Sequence, residues 1–186
     1  METQYKEKVM IIKSRRSVIA AALSILFLLS TVAFGQQAMP VNFSLRSIDG
    51  QMISSADLRG QVVVLAFGAS WLPSLSRKQA QGVRKLANEY SKHGVIVYWV
   101  STDSESPRSK NYASDDQLRE FARKYELDLT VLRDPEGKVS RQFGVDQLPS
   151  IVILDKQGVI SGKPIGGLDP EGNLTNQLAP RLKELL

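Results

Sequence analysis

Two short apolar runs without a polar interruption, residues 62–67 (VVVLAF) and 95–100 (VIVYWV), constrain this chain more than any other feature. Such runs suit strands buried on both faces. Between them, within 75–93, Val83, Leu86, Ala87 and Tyr90 recur at helical spacing, and Gly94 after Lys92 and His93 supplies a C-terminal stop. Strand, amphipathic helix and strand make a βαβ unit, so the domain is α/β.

The flanking segments extend that unit. Residues 41–53 alternate loosely around Asp49-Gly50, a turn dipeptide that favours a hairpin. Residues 101–114 are polar and read as a long loop. Ser114 and Gln117 then form a capping box for a second helix with the buried stripe Leu118, Phe121, Ala122 and Tyr125. Residues 130–132 read as a short strand, and Asp134-Pro135 as the N-cap and first-turn proline of a brief helix through Phe143. Residues 151–154 and 159–161 read as a hairpin joined through Lys156-Gln157-Gly158. A last helix carries Leu174, Leu178, Leu182 and Leu185, with Pro180 either kinking it or marking its start.

Composition excludes two classes of function. At 42% hydrophobic and 23% charged, without repeats, the chain is neither disordered nor a solenoid. Its net charge of +5 suggests nucleic acid, but five cations against two acids put +3 of it before Val18. The remaining +2, with no basic cluster interleaved with aromatics, gives no footprint for nucleic acid.

The N-terminus reads as an export segment. Residues 13–16 are basic, 18–34 are almost wholly apolar, and Ala33-Phe34-Gly35 has the small-x-small pattern that signal peptidase cuts. This predicts a signal peptide over 1–35 and one folded domain over 36–186. An uncleaved membrane anchor is the alternative, because a span needs roughly 17–25 residues. Ser14-Arg15-Arg16-Ser17 also resembles a twin-arginine signal. The expected location is the bacterial periplasm or the extracytoplasmic face of the membrane. Disulfides form there, so a reducing cytosol does not explain a chain with no cysteine.

The run 58–71, LRGQVVVLAFGASW, resembles the lead into the active site of TlpA/ResA-type redoxins and the related AhpC/TSA group. Residues 98–103, the stretch LRDPEGKV with FGV after it, and LPSIVILD with Gly158 agree in order and spacing, so the likeness spans 40–186. The resemblance implies a thioredoxin-like fold: a central mixed sheet flanked by helices, an N-terminal hairpin, and an active site where a helix begins after Trp71. The family places Cys-x-x-Cys there, since a helix N-terminus stabilises a thiolate and the second thiol resolves the mixed disulfide.

This chain reads Trp71-Leu72-Pro73-Ser74-Leu75-Ser76-Arg77-Lys78 at that place. The two thiol positions hold Leu72 and Leu75, or Ser76 for the second in another register. A peroxiredoxin-like alignment puts its peroxidatic cysteine at or near Leu72, and the acid that the family carries beyond the second cysteine is Lys78 or Gln79. Pro149, after Leu148, resembles the cis-proline that faces the cysteines beside an extended substrate peptide.

Nothing in the sequence replaces the lost thiols. Ser74 and Ser76 need a general base, and the one histidine, His93, lies seventeen residues beyond Ser76, about 25 Å along a helix. Asp103, Glu105, Asp115 and Asp116 lack the spacing of a calcium loop and read as solvated loop and helix-cap carboxylates. No metal and no cofactor is expected. The expected function is partner binding: Trp71, Leu72, Pro73, Leu75, Leu148 and Pro149 form a face for an extracytoplasmic protein or peptide. The alternatives are a degenerate domain with both leucines buried, or an oxidoreductase working with a cysteine-bearing partner. Exposure of the leucines separates the first two.

Overall fold

The computed structural model describes residues 39–167 and 173–186; the export segment expected over 1–35 lies outside them. The chain runs β1 (Ser44–Ser47), β2 (Met52–Ser54), β3 (Val62–Gly68), α1 (Pro73–Tyr90), a 3-10 turn (Ser91–His93), β4 (Val95–Ser101) and α2 (Asp115–Lys124). It continues with β5 (Val131–Arg133), α3 (Lys138–Gln142), β6 (Ser150–Leu154), β7 (Ile165–Gly166) and α4 (Leu174–Leu185).

Among the described residues, the seven strands share one mixed sheet in the order β2-β1-β5-β4-β3-β6-β7. β3 pairs parallel with β4 and antiparallel with β6, so it is covered at both edges and buried along its whole length. Alternate side chains of a strand face opposite ways, which splits β3 between two cores. Val62, Val64 and Ala66 pack with Val83 and Leu86 of α1, Leu118 and Phe121 of α2, and Leu178 and Leu182 of α4. Val63, Leu65 and Phe67 pack on the other face with Phe43, Leu45, Val139 and Phe143. A Cβ on Gly82 would lie 3.2 Å from Leu174 Cβ, so the glycine lets α1 and α4 approach closely.

Three local expectations are corrected, and the alternative left open for Pro180 is decided. The third helix begins after Gly137, which has φ 62°, and not at Asp134-Pro135. Asp134 instead reaches across the turn and accepts Val139 N–H at 3.2 Å and Ser140 N–H at 2.8 Å, capping the helix from a distance. The expected hairpin partner at 159–161 is reduced to one bridge, Leu154 with Ile160. The strand that pairs with β6 is β7, placed after Gly162 and Pro164; a proline has no N–H to continue a ladder. Pro180 lies inside α4, whose N-cap is Asn173, accepting Thr175 and Asn176 N–H. Helix α1 begins at Pro73, since a first-turn proline forgoes only an N–H that has no helical partner.

Leu178 is fully buried between sheet and helices, whereas Met52 on edge strand β2 is 57% exposed. Leu178→Ala is expected to lower unfolding free energy by about 2–5 kcal/mol in urea titrations, and Met52→Ala to change it by less than about 0.5 kcal/mol.

Candidate functional site

The residues that leave β3, Ala69-Ser70-Trp71-Leu72, turn directly into α1, and buried polar groups hold them there. Asp103 is fully buried just beyond β4, which the parallel register puts at the same end, with Gly68 opposite Ser101. Its carboxylate accepts the Ser70 N–H at 3.1 and 3.0 Å, the Ser70 hydroxyl at 2.7 Å and the Ser101 hydroxyl at 2.7 Å. This corrects the expectation of a solvated loop carboxylate. A buried carboxylate is tolerated because donors surround it.

Gln79, at one of the positions where the family carries an acid, is also buried. It donates to Phe67 O at 2.8 Å and accepts Trp99 Nε1–H at 3.1 Å. The bare backbone of Gly68 makes room for this pair, since a Cβ there would come within 2.3 Å of Gln79 Oε1 and 2.8 Å of Trp99 Cζ2. Sequence reasoning missed both groups. The signal for Asp103 was its position at the end of the 98–103 segment.

Arginines order the loop that follows Asp103. Buried Arg133 donates to Ala113 O at 2.9 Å, Asp115 Oδ1 at 3.2 Å and Asp103 O at 3.3 Å. Arg46 donates to Asp115 at 2.8 Å and to Glu105 at 2.8 Å. Asp115 is thus an ion-paired carboxylate in the first turn of α2, where the capping box of Ser114 and Gln117 also forms. The Arg46 hydrogen bond holds its carboxyl below the usual range, with the charges of Arg46, Arg133 and Arg119 acting in the same direction.

Trp71 is 45% exposed, Leu75 is 38% exposed and Leu72 is half-buried. Pairing of Phe67 with Ser150 brings Leu148 and Pro149 to the same sheet end, Leu148 half-buried and Pro149 buried after a cis peptide bond. Pro73 is the first residue of α1. Ser76 is buried and its hydroxyl donates to Ala69 O, so that register places a structural hydroxyl beneath the loop. His93 is exposed beyond the C-terminal end of α1, with the whole helix between it and the site. Among the described residues no group of His, Asp and Glu is arranged to hold a metal ion.

The AhpC/TSA family model matches residues 35–163. The chain belongs to the AhpC/TSA family. The thioredoxin-like protein YneN of Bacillus subtilis is 33% identical over 132 residues, 71% of each chain. The thiol-disulfide oxidoreductase ResA of Halalkalibacterium halodurans is 26% identical over 152 residues, 82% of this chain and 76% of its own. Among solved structures, the exposed lipoprotein thioredoxin of Streptococcus pneumoniae is 28% identical with a TM-score of 0.54, covering 78% of this chain and all of its own. The fold is thioredoxin-like, and within it this AhpC/TSA member has no sulfur for thiol-disulfide exchange.

Two outcomes follow. Asp103→Ala leaves the Ser70 and Ser101 donors without their acceptor and is expected to cost about 2–4 kcal/mol in denaturant titrations, with Asp103→Asn in between. The lowered pKa of Asp115 adds stability that is complete above the ordinary carboxylate range near pH 4 and is lost as pH falls through its folded value. Asp115→Asn should therefore lower stability at neutral pH and flatten its decline in acid, read from urea midpoints between pH 7 and 2.

Proposed function

We propose that this chain is an exported, redox-inactive redoxin whose former active-site face binds an extended segment of a partner protein. The observation that carries this reading is a contrast at one place. The loop leading into α1 keeps a full buried polar framework of Asp103, Gln79 and Ser76, while apolar Trp71 and Leu75 project into solvent above it. A domain that had merely lost its site would gain by folding Leu75 inward, since burying such a side chain is worth about 1.5–3 kcal/mol. Export is supported by the N-terminal pattern and by likeness to a protein described as an exposed lipoprotein.

Without sulfur the face acts by shape and apolar contact. Trp71 and Leu75 supply the area, and the backbone beside Pro149, at the same sheet end, supplies hydrogen-bonding groups for an extended chain. The test is site-specific photocrosslinking in cells. A benzophenone side chain replacing Leu75 should trap a discrete adduct, whereas one replacing exposed Lys85 on the same helix should not. Adducts at neither position, or equally at both, would overturn the reading. In an insulin-reduction assay the chain should add nothing to the rate of the small-molecule thiol alone; a catalysed rate would restore the oxidoreductase alternative.

A further inference from the structure

We propose that the segment held on this face is acidic: an apolar side chain set against Trp71 and Leu75, with an adjoining Asp or Glu over the start of α1. This rests on the docking reading above and adds its chemistry. Lys78 follows Leu75 by three residues, so the two share one face of α1, and both are exposed, as is Arg77. Among the described residues neither cation is paired with a carboxylate. Helix α1 has no acidic residue in its first turn and no side-chain cap, so its positive end is unneutralised by its own sequence.

Among the described residues, the carboxylates beside the loop are already engaged. Asp103 is buried and saturated with donors, and Glu105 and Asp115 are engaged by Arg46 and Arg133. The loop that Asp103 begins adds exposed Arg108 and Lys110. Asp146, two residues before Leu148 on the cis-proline side, is exposed. The ligand's carboxylate is therefore directed to the α1 side, and the rest of the segment runs toward Pro149. Positive charge beside an apolar patch selects acidic partners and speeds their encounter more than it adds affinity, and salt weakens it.

The test uses the full chain in non-ionic detergent and three capped, fluorescent peptides with the same Phe-Leu centre, flanked by Glu, Gln or Lys. Anisotropy at low salt should show the Glu peptide binding about threefold tighter than the Gln peptide and the Lys peptide weakest, with the spread shrinking at about 0.5 M NaCl. The surface variant Arg77→Glu/Lys78→Glu, checked by circular dichroism, should reverse the order. The uncharged variant Trp71→Ser/Leu75→Ser should weaken all three. Equal binding of the three peptides, lost in that uncharged variant, would overturn the acidic preference and leave the docking face standing. Binding insensitive to the Trp71 and Leu75 changes, or no binding by any peptide, would overturn both.

Discussion

The carboxylate of Asp103 ties two strand ends into one platform. It takes hydrogen bonds from Ser70, on the loop after β3, and from Ser101, the last residue of β4, in a position closed to water. Because a buried carboxylate is costly without such donors, the loop and the strand ends have one arrangement that satisfies it. The direction in which α1 leaves the sheet, and hence the placement of Trp71, Leu72 and Leu75, follows from that arrangement. Arg133, bonded to the Asp103 carbonyl and to Asp115, extends the same network into the start of α2.

A platform of this kind does not itself require the thiols that the family pattern places above it. Thiolate reactivity depends on sulfur at the helix start, whereas the position of that helix depends on Asp103, Gln79 and the bare backbone of Gly68. Leu72 stands at one thiol position of the family pattern and Leu75 or Ser76 at the other, so no thiol lies at the helix start while the polar framework beneath it is kept. Fold and function are decided by different residues, so likeness to thiol-disulfide oxidoreductases speaks for the architecture, and the reaction has to be argued from the residues at the site.

What was legible in the sequence follows from local physics. The runs at 62–67 and 95–100 read as buried strands, and the spacing of Val83, Leu86 and Tyr90 as a packed helix face, because burial imposes its period on the chain. The capping box at Ser114 and Gln117 was legible for the same reason, since its partners lie three residues apart. The errors lie where distant groups compete. Asp134 beside Pro135 looked like an N-cap, yet its carboxylate bridges a turn to reach Val139 and Ser140. The turn after β6 formed, but Gly162 and Pro164 moved the paired strand onward to β7.

By itself the sequence determined the α/β order of elements, the family and the absence of cysteine, because each is written in residue type and spacing along the chain. The tertiary structure decided which polar residues are structural and which apolar ones are free. Asp103 read as a solvated loop acid and is buried, bonded by Ser70 from a distant stretch of chain as well as by neighbouring Ser101; Ser76 read as a candidate nucleophile and is spent on the Ala69 carbonyl. Leu72 and Leu75 were ambiguous between core and surface, since a leucine carries no mark of which way it will face. Only the packing of α1 against β3 and α4 settles that, by filling the interior with Val83 and Leu86 and leaving Leu75 outside.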